Sequence, residues 1–305
     1  MSSASNEPNW KLDRARARAA FERAAETYDK AAVLQREVAD RLLERLDLLT
    51  MKPARVLDVG SGTGYCTRAL RRRYRGARVL ALDIAFPMLQ RARANTPWWR
   101  RLLGKDASRL CADAEVLPLA TASVDMLVSN LTLQWCDPAR AFAEFRRVLR
   151  PGGVLMFTTF GPDTLKELRA AWRAVDASLH VHPFFDMHDI GDALVHAGLA
   201  EPVMDVECVT LTYADPVEVM RDIKRIGAHN AAYGRARGLT GRQHFAGMRA
   251  AYRQWENADG CVPATYEVVF GHAWAPGGAG RLGVPPQDTA IKVPIVEVRR
   301  TPPHR

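Results

Sequence analysis

Three glycines and an acidic residue in the segment Val56–Tyr65, which reads VLDVGSGTGY, have a spacing that suits cofactor binding. Gly60, Gly62 and Gly64 form the pattern GxGxG. Asp58 lies two residues before the first glycine. A glycine-rich turn between a strand and a helix usually binds a pyrophosphate at the helix N-terminus. Here the third glycine comes one residue earlier than in the dinucleotide pattern, and a carboxylate beside the turn would repel a pyrophosphate.

A cofactor that has no phosphate and carries a cationic amino-acid end removes this conflict. S-Adenosylmethionine contains a sulfonium and an ammonium group, and glycines let the backbone approach it closely because they have no Cβ. The glycine pattern alone is equally compatible with a tight strand-to-helix turn that binds nothing. Further acidic residues at the same edge of the sheet are therefore needed to support the cofactor hypothesis.

Two such acidic residues follow the next two predicted strands. Asp83 ends the second strand, where its carboxylate can accept hydrogen bonds from both ribose hydroxyls. Asp113 follows the third strand, where it can accept a hydrogen bond from the adenine amino group. The segment 129–135, SNLTLQW, follows the fourth strand and is expected to line the floor of the cleft. Because open α/β sheets bind ligands at the carboxyl ends of their strands, the pattern favours a class I methyltransferase.

The elements that must position these residues alternate between strand and helix. This alternation predicts an α/β fold with a doubly wound, Rossmann-like, mostly parallel sheet, which has seven strands in class I methyltransferases. The predicted strands are 55–59, 78–83, 108–114, 124–130, 154–160, 203–213 and 265–276, with a further possible strand at 290–298. The predicted helices are two pieces within 12–49 that break near Tyr28, then 65–74, one from residue 86, 138–149, 163–177 and 187–197, and a helical block at 216–258.

The same pattern divides the chain into three parts. Residues 1–49 are predicted to form an N-terminal helical lid. Residues 50–276 are predicted to form the methyltransferase domain, with helical insertions at about 163–200 and 214–258. Residues 277–305 are rich in proline and glycine and are predicted to be a tail.

The charge of the chain limits the classes of partner. Its 305 residues carry a net charge of +9, which suits a nucleic acid, an anionic membrane surface or an acidic protein. The sequence contains no recognised nucleic-acid-binding module and no basic stretch with interleaved aromatic residues. It also contains no run of ~18 apolar residues. We therefore expect neither nucleic acid nor a membrane as a partner.

The cysteine and histidine residues predict neither a metal site nor a disulfide framework. The five cysteines are far apart and form no CxxC pair, which favours a reducing compartment and hence a cytoplasmic location. His180, His182 and His188 are close in sequence, but no cysteine or paired carboxylates lie nearby. We interpret these histidines as structural or substrate-side residues.

Several longer segments make the chain similar to one family. These are FERAAETYDKAAVLQREVADRLL, LDVGSGTGY, ADAEVLPLATASVDMLVSNLTLQWC, FRRVLRPGGVLMFTTFGPDTLKEL, and MRDIKRIGAHNA followed by GLTGRQ. Together they resemble the malonyl-acyl-carrier-protein O-methyltransferases of biotin synthesis, over most of residues 18–275. The first and last segments lie outside the general cofactor core, so they discriminate among methyltransferases. The segment TPWWRRLLGKD and the tail match the family less well.

The resemblance implies a substrate and a set of site residues. The substrate is a malonyl group on an acidic acyl-carrier protein, whose free carboxylate is methylated; an ionised carboxylate needs no general base. The helices before residue 50 are implied to close over the cofactor. The implied catalytic residues are Tyr28, Arg221 and Lys224, of which the last two are candidates to anchor the substrate carboxylate. The implied cofactor-binding residues are Gln35, Asp58, Gly60, Gly62, Gly64, Asp83, Ile84, Asp113, Ala114, Glu115, Asn130 and Leu131.

Other functions of the same fold remain open at this point. A related family member could methylate a small acid or a quinone, or could be an arginine-hydroxylase-type assembly factor of a respiratory complex. A protein that binds the cofactor without turnover is a second class. The segments LQW and MRDIKRIG favour the malonyl substrate without excluding the others.

Overall fold

The computed structural model describes residues 12–98, 107–235, 238 and 240–277. The strands are β1 (Arg55–Val59), β2 (Arg78–Asp83), β3 (Ser108–Cys111), β4 (Val124–Ser129), β5 (Leu149–Phe160), β6 (Ala200–Tyr213) and β7 (Val262–Trp274). The helices are α1 (Arg14–Ala24), α2 (Tyr28–Ala31), α3 (Val33–Arg45), α4 (Tyr65–Arg73), α5 (Phe86–Ala94), α6 (Pro138–Val148), α7 (Lys166–Arg173), α8 (Met187–His196), α9 (Pro216–Arg225) and α10 (Arg242–Tyr252). Short 3-10 helices lie at Leu46–Leu48, Leu133–Trp135 and Arg253–Trp255.

The seven strands of the described residues form one sheet in the order β3-β2-β1-β4-β5-β7-β6. The pairs β1–β2, β2–β3, β1–β4 and β4–β5 are parallel, whereas β7 is antiparallel to both β5 and β6. The order reverses between β1 and β4, and ligands of open α/β sheets bind at such a switch point. The predicted mostly parallel, Rossmann-like sheet is confirmed.

Helices cover both faces of this sheet. Val56 and Leu57 are adjacent in β1 and fully buried, but they belong to two separate apolar clusters, because neighbouring side chains of a strand point to opposite faces. One cluster includes residues of α3, α4, α7 and α10, and the other includes residues of α6 and α8. In α6, Phe142 and Phe145 are fully buried, as its helical spacing predicts. Each such ring contributes roughly 1.5–3 kcal/mol by leaving water.

The boundaries of several elements differ from the predicted ones for local reasons. The segment before residue 50 contains three helices instead of two. Helix α7 begins at Lys166 instead of 163, because Leu165 adopts a left-handed conformation with φ 56° that a helix cannot contain. Strand β3 ends at Cys111, because the Asp113 carboxylate accepts a hydrogen bond from the Glu115 amide and closes a turn. The possible strand at 290–298 lies outside the described residues.

The block predicted as helical over 216–258 is interrupted after α9. Gly227, with φ 78°, ends this helix: its amide binds Lys224 O, and the amide of Ala228 binds Ile223 O. This is the Schellman arrangement, in which glycine supplies the left-handed residue. Gly227 is present in the sequence, but the apolar residues on both sides of it have helical spacing, so the end of the helix was not predicted.

The chain after α9 packs against the N-terminal helices. A Cβ on Gly227 would lie 3.0 Å from Ala20 O in α1, so only glycine permits this approach. The Thr27 hydroxyl donates to Arg225 O at 2.9 Å, and the amide of Asp13 donates to Ala231 O at 2.7 Å. These bonds hold α1 and α2 beside the carboxyl ends of the parallel strands.

Candidate functional site

The glycine turn after β1 is built by left-handed residues. Gly60, Gly62 and Gly64 have φ values of 71°, 51° and 82°. A Cβ on Gly60 would lie 1.9 Å from the Thr132 hydroxyl oxygen, so the turn and the loop after β4 touch only because this residue is glycine. Apart from Gly62 and its two chain neighbours, no described residue has an atom within 4 Å of a Cβ placed on Gly62, which faces open space. A Cβ on Gly64 would lie 3.1 Å from the Cβ of Ala92.

The turn is joined to the end of β2 by Asp83. This buried carboxylate accepts hydrogen bonds from the amides of Gly62 and Ala85, both at 2.8 Å. Burial raises the pKa of Asp83 to about 6, against the opposing effect of the backbone amides. Each carboxylate oxygen can accept more than one bond, so the group retains capacity for ribose hydroxyls.

Asp58 lies beneath the turn instead of beside it. Its buried carboxylate accepts a hydrogen bond from the Thr67 hydroxyl at 2.5 Å. Burial, and to a lesser extent the nearby Asp83, raise the pKa of Asp58 to about 7. The group is therefore partly ionised at neutral pH, and a cation beside it would complete its ionisation.

Two cavities meet over this turn. The first, which we call the nucleoside cavity, extends from the turn across the ends of β2 and β3. The second, which we call the turn cavity, extends under α2 and α3. Tyr28, Gly60, Gly62 and Asn130 line both. Of the other predicted residues, the nucleoside cavity is lined by Asp83, Ile84, Asp113, Ala114 and Leu131, and the turn cavity by Gln35 and Asp58.

Four predicted site residues lie outside both linings. Gly64 begins α4 where that helix approaches α5, so its role is packing. The Glu115 carboxylate is buried and accepts a bond from the amide of Asp137 at 2.9 Å, which fixes the loop after β3. Arg221 and Lys224 are exposed on α9, and the structure does not bring them to either cavity.

Helix α1 is ion-paired to the loop after β3. The Arg14 guanidinium contacts the carboxylates of Asp113 and of Glu115, the latter at 2.9 Å. The other oxygen of Asp113 accepts the amide of Glu115. Asp113 was predicted from sequence as an acceptor for adenine, but here its carboxylate already has two protein partners, one of them on α1.

Asn130 connects α3 to the sheet on the other side of the turn. Its Nδ2 donates to Gln35 O at 3.0 Å, and its Oδ1 accepts a hydrogen bond from the Thr158 hydroxyl at 2.8 Å.

Tyr28 lies between the two cavities. Burial, together with the charge of Asp83, raises the pKa of its phenol, so the hydroxyl is protonated at neutral pH.

Neither of the other charged residues of the turn cavity, Asp29 and Arg36, was predicted from sequence to bind the cofactor. Arg36 lines this cavity and donates to Asp29 O at 2.5 Å. The Asp29 carboxylate accepts hydrogen bonds from Thr63 and Asn95 at 2.5 and 2.9 Å. Arg36 is adjacent to Gln35 in sequence, but helical periodicity alone could not show that both contact the turn.

The three histidines have separate environments. His180 stacks on Trp172, with ring centroids 3.8 Å apart, and its Nε2 lies 2.9 Å from an Asp176 oxygen. His182 is buried, whereas His188 is exposed. In the part of the chain that the structure describes, no group of three or more potential metal ligands occurs.

No helix among the described residues is long and apolar enough to cross a membrane.

Comparison with known proteins identifies similar chains. Residues 57–157 match the model of a family described as a methyltransferase domain. A malonyl-[acyl-carrier protein] O-methyltransferase of Laribacter hongkongensis (strain HLHK9) is 56% identical over 273 residues, which are 88% of this chain and 92% of that protein. A protein of the same name from Methylovorus sp. (strain MP688) is 55% identical over 87% of this chain and 90% of its own length. The structure of the YcgJ protein from Bacillus subtilis is similar with a TM-score of 0.54 at 16% identity, covering 79% of this chain and 99% of that one. This last likeness concerns the fold alone.

Proposed function

We propose that this chain, which belongs to the malonyl-[acyl-carrier protein] O-methyltransferase family, transfers a methyl group from S-adenosylmethionine to the free carboxylate of a malonyl group on acyl-carrier protein. The observation that carries this function is the extent of the likeness. Identity of 56% covers 88% of the chain, far beyond the residues 57–157 that match the general methyltransferase domain.

The residues of the two cavities fit the groups of S-adenosylmethionine. We assign the ribose hydroxyls to Asp83 and the adenine to the stretch Asp113–Ala114, with Ile84 beside it in the nucleoside cavity. The methionine end carries one ammonium and one carboxylate, and the turn cavity offers a charge for each. Asp58 suits the ammonium, and Arg36 suits the carboxylate. Open space at Gly62 leaves room for the backbone of the turn to contact the ligand.

The protein's own contribution to the reaction is positioning and exclusion of water. When bound, the cofactor supplies an electrophilic methyl group. The attacking carboxylate is ionised at neutral pH, so no residue has to remove a proton. Helices α1 to α3 cover the site, and we propose that the segment before residue 50 is the lid that excludes water. Tyr28, whose phenol is protonated, lines both cavities and can donate a hydrogen bond at their junction.

Exposed basic residues of α1 and α9 fit an acidic carrier protein. Arg16 and Arg23 of α1 and Lys224 of α9 are exposed, and all three lower the pKa of His229, after the larger effect of its burial. The four residues therefore form one group, which we call the lid patch. Complementary charge of this kind accelerates encounter with an acidic partner. Lys224 and the helix that carries it thus suit docking of the carrier protein.

We further propose a cytoplasmic enzyme that does not bind nucleic acid. All five cysteines are free, as a reducing compartment allows. The basic groups near the site have a partner in the acidic carrier protein, so the charge does not require nucleic acid.

Incubation with labelled S-adenosylmethionine tests the function directly. We expect label to be transferred to malonyl-carrier protein in a form that mild base releases, as an ester does, and little transfer to succinyl-carrier protein. Transfer to a quinone or to trans-aconitate at a higher kcat/KM than to malonyl-carrier protein would contradict the proposed substrate.

A further inference from the structure

Asp29, the second residue of α2, binds two other segments of the chain through its carboxylate. One oxygen accepts a hydrogen bond from the Thr63 hydroxyl at 2.5 Å, and the other accepts one from the Asn95 side-chain amide at 2.9 Å. Thr63 is a buried residue of the glycine turn, and Asn95 directly follows α5. A single carboxylate therefore connects α2, a helix of the proposed lid, with the turn and with the helix after β2.

The backbone of the same residue binds the helix that follows it. Arg36 of α3 donates a hydrogen bond from Nη1 to Asp29 O at 2.5 Å. A guanidinium has five N–H donors, and this bond uses one of them. The bond orients the side chain that we assign to the carboxylate of the cofactor. Asp29, Thr63 and Arg36 all line the turn cavity, so these contacts form part of the wall around the methionine end.

These contacts matter because α2 is too short to be stable alone. It has four residues, and a single helical turn is unfavourable unless other parts of the protein hold it. Tyr28 packs against an apolar cluster that includes Ala85 and Met88, at the start of α5. Asp29 binds Asn95 at the other end of α5. Two adjacent residues of α2 therefore hold this helix along α5.

The position of Tyr28 depends on this arrangement. Tyr28 lines both cavities, and the transferred methyl group is expected at their junction, because the sulfonium connects the nucleoside to the methionine end. Adjacent residues of a helix point in directions about 100° apart. Fixing the Asp29 carboxylate on the turn therefore also fixes the direction of the Tyr28 ring.

The ribose site acts on the same turn from the side of the sheet. Asp83, to which we assign the ribose, accepts a hydrogen bond from the amide of Gly62 at 2.8 Å. Gly62 is adjacent to Thr63, the partner of Asp29. A ligand that orders this turn therefore also favours the bond between Thr63 and Asp29.

We propose that Asp29 is a positioning residue, which couples binding of the cofactor at the glycine turn to the placement of Tyr28 at the methyl group. Its carboxylate holds α2 on the turn, and its carbonyl orients Arg36. Asp29 acts through Tyr28 and Arg36 and not on the reacting atoms. This inference rests on the proposed function, in which Tyr28 donates a hydrogen bond at the junction of the cavities.

The first test measures cofactor affinity, which does not depend on the identity of the methyl acceptor. Calorimetry with S-adenosylhomocysteine should give a Kd about 3- to 10-fold higher for Asp29→Ala, because the turn and Arg36 are held less firmly. Asp29→Asn should also bind more weakly, since its amide cannot accept from Asn95. Asp29→Asn combined with Asn95→Asp exchanges the two groups at constant charge and should recover part of the affinity. Lys30→Ala, at an exposed position on the same helix, should match the wild type.

The second test measures turnover of malonyl-carrier protein. Asp29→Ala should lower kcat roughly tenfold or more, as misplacement of a group at the reacting atoms does, with little change in KM for the carrier protein. In a Tyr28→Phe background the same substitution should lower kcat far less, because a residue that acts through the Tyr28 hydroxyl has no effect once that hydroxyl is gone. A purely structural role predicts that the two losses multiply.

Thermal unfolding shows which variants fold. A folded Asp29→Ala protein in which either Kd or kcat equals the wild-type value would overturn the inference, as would losses in kcat that multiply with Tyr28→Phe. If Asp29→Ala does not fold, Asp29→Asn decides through the same two measurements. A wild type that binds cofactor but does not methylate malonyl-carrier protein would instead overturn the proposed function, and that result is seen before any variant is compared.

Discussion

Arg14 of α1, a helix of the proposed lid, forms an ion pair with Asp113, the acidic residue that follows β3. The same guanidinium reaches Glu115, so one lid residue holds both acids of the loop. The cofactor is expected to lie beneath this contact. Opening of the lid must therefore break the ion pair before the nucleoside can leave.

Arg14→Ala should weaken closure of the lid. The pair is about one-third exposed on both sides, which limits its contribution to about 1 kcal/mol, so we expect S-adenosylmethionine to dissociate up to about fivefold faster. Stopped-flow fluorescence of Trp135, which lines the cavity, measures this rate. Arg16→Ala is the matched control, because Arg16 is exposed on the same helix and lines neither cavity. Equal dissociation rates in the wild type and Arg14→Ala would show that the contact does not close the site.

Asp83→Ala should reduce affinity for S-adenosylmethionine by roughly 5- to 100-fold, through loss of about 1–3 kcal/mol of hydrogen bonding to the ribose. Asp83 also accepts the amides of Gly62 and Ala85, so part of the loss comes from a looser turn. Asp83→Asn keeps an acceptor for these amides and should lose less. Calorimetry that finds unchanged affinity in Asp83→Ala would remove this residue from the site.

Cofactor affinity should rise with pH through the titration of Asp58. Its raised pKa, about 7, means that the folded protein without ligand favours the neutral acid. The preference for the neutral acid stabilises the folded protein without ligand. This stabilisation is fully present below the ordinary carboxyl pKa and is lost as the pH rises through about 7. A cationic ligand needs the ionised form, so affinity should increase about fourfold between pH 6.5 and 8.5, with release of a proton on binding.

Asp58→Asn is the control for this pH dependence and should give weaker binding that hardly varies with pH. Asp83, with a pKa of about 6, is mostly ionised over the chosen range. Calorimetry in buffers of different ionisation enthalpy counts the released protons. Affinity that falls as the pH rises would contradict the assignment of Asp58 to the ammonium group.

Association with malonyl-carrier protein should depend on salt through the lid patch. Exposed charges are screened over ~8 Å at physiological ionic strength, so the on-rate should fall as salt is added. The triple variant Arg16→Ala, Arg23→Ala, Lys224→Ala should bind more slowly at low salt and show a flatter dependence. Arg72→Ala, which removes an exposed charge on α4, should behave like the wild type. An on-rate of the wild type that does not change with salt would exclude steering.

The sequence predicted the sheet well because the central parallel strands β1, β2 and β4 are short, mostly apolar and largely buried. Strands β1 and β2 match their predicted ranges, since Arg55 and Arg78 start them and Asp83 ends the second. The glycine spacing also located the turn. These features depend on local pattern, which a single sequence displays directly.

The remaining parts of the site depend on contacts between distant segments. Arg14 and Asp113 are 99 residues apart, and nothing local indicates that a lid arginine meets the residue expected to bind adenine. Arg221 and Lys224 share the helical spacing of a binding pair, but that spacing does not fix which face of α9 meets the site.

The insertion of β7 between β5 and β6 has a consequence for the order in which the molecule assembles during translation. Within the described chain, β6 pairs with β7 alone, and β7 is about fifty residues farther from the N-terminus. Until β7 leaves the ribosome, the 14 residues of β6 have no strand beside them, and an unpaired strand invites aggregation. The parallel strands β1 to β5 can therefore pair early in translation. Strand β6 remains unpaired until β7 emerges, and an exposed strand of this kind is one that chaperones are suited to protect from aggregation.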